Sequence, residues 1–212
     1  MQIIPLIKEI IANKPDNEQL NMFVADIRDS LTMSNQQFIS LAALAITALV
    51  TYHLVVYENA SGVTLNSIQI SNTTLFRRVF LIVPSALLCA MSCVGYLRRW
   101  QREVYDYLTI SNCSILGKTG LHELRLPADY ILGLFVLGQR GGTIGKFISN
   151  ALAYLLVVVF VLAPAAYIVR SAAENIIIFG VFDLISFLAS IIAIILSVSS
   201  IIIMMLAGRI RP

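Results

Sequence analysis

Four stretches of this chain are apolar and almost free of charge over the thickness of a bilayer, and that constrains its fold more than anything else in it. They are residues 38–57, 79–97, 147–169 and 176–208. The first carries no charge unless His53 is protonated, the second and third carry none, and the fourth carries only Asp183. A hydrocarbon core of about 30 Å takes about 20 apolar residues as an α-helix. The runs are continuous rather than alternating, so helices and not barrel strands are expected. The fourth run, at 33 residues, is longer than one crossing needs and must tilt or project from the hydrocarbon. Composition agrees. The chain is 58% hydrophobic and 13% charged, against roughly 45–50% and about 25% in soluble domains. A secreted domain, a disordered tail and an ordinary cytosolic enzyme are excluded.

The expectation is an all-α, polytopic integral membrane protein with four transmembrane helices. Residues 1–36 precede the first hairpin (37–97, with an outer loop at 58–76). A cytoplasmic loop, 98–146, leads to a second hairpin, 147–208, and residues 209–212 form a tail. If the N-terminus is cytoplasmic, twelve of the 15 Lys and Arg residues fall inside and three, Arg77, Arg78 and Arg170, fall outside. Positive charge collects on the inner side, so both termini are expected to be cytoplasmic and the membrane to be the plasma (inner) membrane. The net charge of +3 then reflects orientation, and no direct nucleic-acid binding is expected. No cleavable signal peptide is apparent: the start lacks a basic region, and Pro5, Lys8 and Glu9 interrupt its first apolar stretch.

The segments between the spans are patterned too. Ile3, Leu6, Ile7, Ile10 and Ile11 share a helix face, Pro15 ends that helix, and Asp16 with Gln19 forms a capping box for a second. Leu20, Phe23, Val24, Ile27 and Leu31 continue at helical spacing. Such a stripe lies in the lipid interface or packs on protein. Acidic residues on the polar face, among them Glu9, Asp26 and Asp29, favour protein. Beyond span 2, Trp100, Tyr105 and Tyr107 suit the headgroup zone, and Arg98, Arg99 and Arg102 suit lipid phosphate or a partner. Leu126-Pro127-Ala128-Asp129 reads as a helix start leading into residues 130–138, which are apolar but too few to span. In the outer loop, alternating Val63, Leu65, Ile68 and Ile70 fit a short hairpin, while the sequons at Asn59, Asn72 and Asn112 are read as chance triplets.

No catalytic or metal-binding constellation survives scrutiny. The segment 138–146 resembles a phosphate loop, but Arg140 replaces the required Gly and Phe147 the required Ser or Thr. What is left is a basic turn in which Arg140 and Lys146 contact lipid phosphate or a partner, or a plain hinge. His122-Glu123 lacks the second His of a zinc motif, and His53 is remote. No metal or cofactor is expected. Three cysteines make no disulfide framework, and Cys89 and Cys93 read as packing residues.

Two features of span 4 carry the functional expectations. Asp183 is an ionisable group inside an apolar run, which is costly and calls for a partner. His53 lies at a similar depth, so a polar pair between His53 and Asp183, within one chain or between subunits, is one reading. The other is that Asp183 sits at headgroup level. From Asp183, the residues Ser186, Ser190, Ala193, Ser197 and Ser200 follow at intervals of three and four. They form a small, weakly polar seam that packs helices closely or lines a water path in an oligomer. Ser85, Cys89, Ser92 and Cys93 add a similar face to span 2, as do Ser40, Ala43, Thr47 and Thr51 to span 1. Pro84 and Pro164 allow kinks. Three function classes stay open: a non-enzymatic, oligomeric scaffold or sensor that couples the bilayer to a soluble cytoplasmic partner; a homo-oligomeric ion channel or membrane-permeabilising effector; and a small transporter or lipid-handling enzyme. The scarcity of charge in the spans weighs against the third.

Overall fold

The computed structural model describes residues 17–57, 64–65, 68–69, 73–112 and 142–209. Helix α1, Asn17–Tyr57, runs 41 residues without a break, and no Gly or Pro occurs in it to interrupt the hydrogen-bond ladder. Residues 17–36, expected as a helix of their own, are therefore continuous with span 1. The first amphipathic stretch lies outside the described residues, as does the apolar segment 130–138. Beyond α1, β1 (Thr64–Leu65) and β2 (Ile68–Gln69) pair antiparallel, with Thr64 opposite Gln69 and Leu65 opposite Ile68.

Span 2 is two helices, α2 (Thr73–Val79) and α3 (Ile82–Asn112). The break at Phe80 and Leu81 follows from Pro84, which has no N–H to give to the carbonyl one turn back. That carbonyl, of Phe80, accepts instead from Val83 N at 3.0 Å. Pro164 acts similarly on span 3. It lies just past a five-residue π-helical turn, Val158–Leu162, in which Ala163 N donates to Val158 O. The turn joins α4 (Gly142–Val157) to α5 (Ala163–Phe179).

The largest departure from the sequence reading is the link between spans 3 and 4. Residues 170–175, expected as the turn, are helical and belong to α5. The turn falls instead at residues 180–183, and α6 spans Leu184–Arg209. Gly180 stops α5 with φ 75° and ψ 165°, its N–H bonded to Ile176 O at 3.0 Å. Asp183 opens α6, its carbonyl accepting from Phe187 N at 2.9 Å. The 33-residue run is thus one helix end, one turn and one helix, and Asp183 lies at the head of α6 rather than inside a span.

The chain forms two compact units. One comprises residues 38–93 and 150–205 and carries the bundle core, in which Tyr52, Leu88, Met91, Ile168, Ala172 and Ala193 are fully buried. Its polarity is inverted relative to a soluble bundle. Ser186, Ser190, Ser197 and Ser200 of α6 are buried, while Ile185, Leu188, Ile192, Ile195 and Ile202 of the same helix are exposed. In water such a helix would turn over; in lipid, small residues belong at helix contacts and branched aliphatics outside. The other unit takes residues from before Phe38, from 94–149 and from after Met205. In it Val104 and Leu108 of α3 pack with Val24, Ile27, Trp100 and Tyr107. There Gln101 donates to Ser30 Oγ at 2.7 Å and accepts from Ser34 Oγ at 3.0 Å.

Candidate functional site

The polar side chains of the bundle unit gather where α1 ends, α2 begins, α5 ends and α6 begins. Asn175 of α5 is fully buried and has all its polar atoms engaged. Its amide donates to Arg77 O at 2.9 Å and to Tyr52 Oη at 3.3 Å, and its carbonyl accepts from Arg77 Nε at 3.0 Å. Next to it on the chain, Glu174 accepts from Tyr57 Oη at 2.5 Å and from Arg170 Nε at 2.9 Å. Arg78 Nε lies 3.0 Å from Asp183 Oδ2. The two atoms are close enough for an ion pair but not aligned as a hydrogen bond. The same guanidinium stacks 4.9 Å from the centre of the Phe179 ring. Phe76 stacks on Tyr52 and on Phe80, with ring centres 6.4 and 4.1 Å apart. The cluster sets three arginines and one histidine against two carboxylates.

His53 and Asp183 do not meet within the chain. His53 Nδ1 lies 3.0 Å from Tyr167 Oη, its ring flanked by Tyr57 and Tyr167 with centres 5.1 and 5.9 Å away. Asp183 turns to Arg78. A histidine and a carboxylate at matching depth were a reasonable pair on sequence. Arg78 is nonetheless the stronger partner for Asp183, being permanently charged, and on sequence it stands only as one of three basic residues on the outer side. Tyr57, Tyr167, Arg170 and Glu174 escaped the sequence reading. One signal for them was present: Arg170 and Glu174 are four apart, the spacing of a helical ion pair, which argued for helix where a turn was assigned.

The span 4 seam is brought together. Ser186, Ser190, Ala193, Ser197 and Ser200 all lie on the buried face of α6, none more than 1% exposed. Burial inside this chain favours the packing reading and removes the seam from surfaces where copies of the chain could meet. On the other spans Ser85, Ser92 and Thr51 are buried and Cys89 half-buried, while Cys93, Ser40, Ala43 and Thr47 are exposed. Among the basic residues, Arg99 pairs with Glu103 at 3.6 Å, and Arg98 and Arg102 are half-buried in α3. Lys146 falls within α4, so the second half of the glycine-rich segment is helix and not loop. Arg140, His122 and Glu123 lie outside the described residues. Among the described residues no three His, Cys, Asp or Glu side chains are grouped to hold a metal ion.

Four helices are long and apolar enough to cross a membrane, Met22–Tyr57, Thr73–Tyr105, Tyr154–Phe179 and Leu184–Leu206. The class this fold defines is that of a helical, multi-pass membrane protein. Comparison of the chain with family models, with curated proteins and with solved structures finds no match.

Proposed function

We propose that the chain is a non-enzymatic membrane scaffold or sensor that relays the state of the bilayer, or of a ligand at the polar cluster, to a soluble cytoplasmic protein. The observation that carries this reading is that α1 and α3 each supply residues to both compact units without a break in either helix. A helix does not stretch, so a change at Tyr57 or Ser85 is transmitted to residues further along it. The excess of Lys and Arg on one side supports cytoplasmic termini in a plasma (inner) membrane, with residues 1–36 and 98–146 available to the partner. Homo-oligomer formation belongs to the same proposal, with the exposed aliphatic faces of the bundle unit shared between lipid and a second copy of the chain.

Trp100 provides the test, being the chain's one tryptophan and packed beside Val104 and Leu108. In reconstituted protein, Tyr57→Phe, which removes the bond from the end of α1 to Glu174, is expected to shift Trp100 emission or its quenching. Emission identical to the parent would refute the relay. A second reading, an ion channel or permeabilising effector, draws on the Ser seam and on Asp183 at the head of α6. Because the seam is buried within one chain, a pore using it runs through a single bundle. Planar-bilayer recordings decide: channel activity reduced by Asp183→Ala supports it, and silence under all conditions removes it.

A further inference from the structure

Helix α5 carries two charges, Arg170 and Glu174. The Arg170 side chain is 80% exposed and that of Glu174 30%, on a helix apolar enough to cross a membrane. An arginine on a lipid-facing surface is costly unless it reaches an anion or the headgroup layer. Glu174 engages only its Nε, at 2.9 Å, and among the described residues its two Nη groups have no hydrogen-bond partner. Tyr57, the last residue of α1, donates to the same carboxylate, which puts the pair at the level where span 1 ends. The anions at that level of a bilayer are lipid phosphates, and a guanidinium binds phosphate through two parallel N–H groups.

Beside this donor stands an acceptor. Each Glu174 oxygen takes one bond, from Tyr57 Oη at 2.5 Å and from Arg170 Nε, whereas a carboxylate offers about four lone-pair sites. The Tyr57 oxygen, having donated its proton, keeps its own lone pairs, and its ring, 42% exposed, offers a face to a cation. The patch thus presents N–H donors on one side and acceptors on the other, and its pair of opposite charges sums to zero. An anionic headgroup satisfies only the first half. One turn deeper than His53 and Tyr167, Val50 of α1 and Ala163 of α5 are exposed, an apolar edge below the polar one.

We propose that the edge where α1 meets α5 binds a zwitterionic phospholipid with a primary amine, its phosphate on Arg170 and its ammonium on Glu174 and Tyr57. The charge pattern matches in sign on both sides, and the acyl chain then lies along Val50 and Ala163. A primary ammonium carries three N–H donors for the open lone pairs, while a quaternary ammonium carries none. This headgroup names the ligand that the sensor reading leaves open at the polar cluster, and it rests on that reading only for what binding sets off along α1.

The test uses the full chain in detergent, read by native mass spectrometry, with phosphatidylethanolamine, its N,N-dimethyl form, phosphatidylcholine and phosphatidylglycerol of identical acyl chains added in turn. The ethanolamine lipid is expected to be retained several-fold more than the choline lipid or the glycerol lipid, with the dimethyl form between. Glu174→Gln is expected to erase the margin over phosphatidylglycerol, and Arg170→Gln to lower retention of all four. Glu103→Gln, in the ion pair with Arg99, is expected to leave the margin unchanged. An ethanolamine lipid held no more than the other two by the parent protein, or a margin that Glu174→Gln leaves intact, overturns the proposal. Should Glu174→Gln fail to fold, the methylated series on the parent decides: retention that does not fall as N–H groups are replaced overturns it. Trp100 emission in Tyr57→Phe answers separately for the relay, since selectivity can fail while the emission shifts, and the emission can stay fixed while selectivity holds.

Discussion

Arg78 Nε stands 3.0 Å from Asp183 Oδ2, with the two side chains 35% and 18% exposed. The pair ties α2 to the turn that opens α6, and Phe179 at the end of α5 covers the guanidinium. Exposed ion pairs contribute about 0–1 kcal/mol, and breaking a buried one costs about 3–5 kcal/mol. This pair lies between those limits. Asp183→Asn is expected to lower stability by about 1–3 kcal/mol, measured by thermal unfolding in detergent. The reversed pair, Arg78→Asp with Asp183→Arg, is expected to recover part of that loss. A double variant no better than the sum of its singles would show that the pair contributes nothing.

His53 has its own partner in Tyr167, 3.0 Å away, and Asp183 has Arg78. Groups without shared partners add in their effects to within about 0.3–0.5 kcal/mol. His53→Gln and Asp183→Asn are therefore expected to be additive in a double-mutant cycle on monomeric protein. Coupling above that margin would mean that the two residues communicate, through a second copy of the chain or otherwise.

Asn175 joins Tyr52, Arg77 and its own helix in one node, fully buried. Asn175→Leu preserves approximate volume but strands the Arg77 guanidinium and its backbone carbonyl. Leaving buried polar groups unsatisfied costs about 1–3 kcal/mol each, more for a charged one. A loss of about 2–4 kcal/mol is expected, and Asn175→Asp, which keeps the acceptor facing Arg77, is expected to lose less. Equal melting temperatures for the two variants would contradict the role assigned to the Arg77 bond.

How far the sequence revealed this molecule depended on the distance between interacting residues. Spans 1 to 3 were legible because an uncharged apolar run is itself the physical cause of a membrane helix. The seam was legible because three- and four-residue spacing is local. The turn at 180–183 was obscured by the apolar residues around it, although its signals were there: a Gly to end α5 and, three residues on, an Asp to open α6. Polar residues 170–175 looked like a turn because their partners are remote. Glu174 bonds Tyr57 from 117 residues away, and Asn175 bonds Tyr52 from 123. No single-sequence pattern shows that a polar residue in an apolar helix will be satisfied by a side chain so distant.

Gly180 offers the sharpest test of the revised link between α5 and α6. Its φ of 75° with ψ of 165° falls in a region that residues with a Cβ almost never adopt. A Cβ placed there would have nothing within 4 Å, so any penalty comes from the backbone alone and not from a clash. Gly180→Ala is therefore expected to cost about 1–3 kcal/mol, even though the added methyl points into open space. Gly180→D-Ala, which favours positive φ, is expected to restore stability in protein assembled by ligation. If residues 170–175 were the turn and 180 lay inside a continuous span 4, the result would invert: Ala in a helix interior is favoured over Gly by about 1 kcal/mol, and the melting temperature would rise. The sign of the Gly180→Ala effect thus decides where the chain turns, and with it whether Asp183 stands at the head of α6 facing Arg78 or is buried within a span.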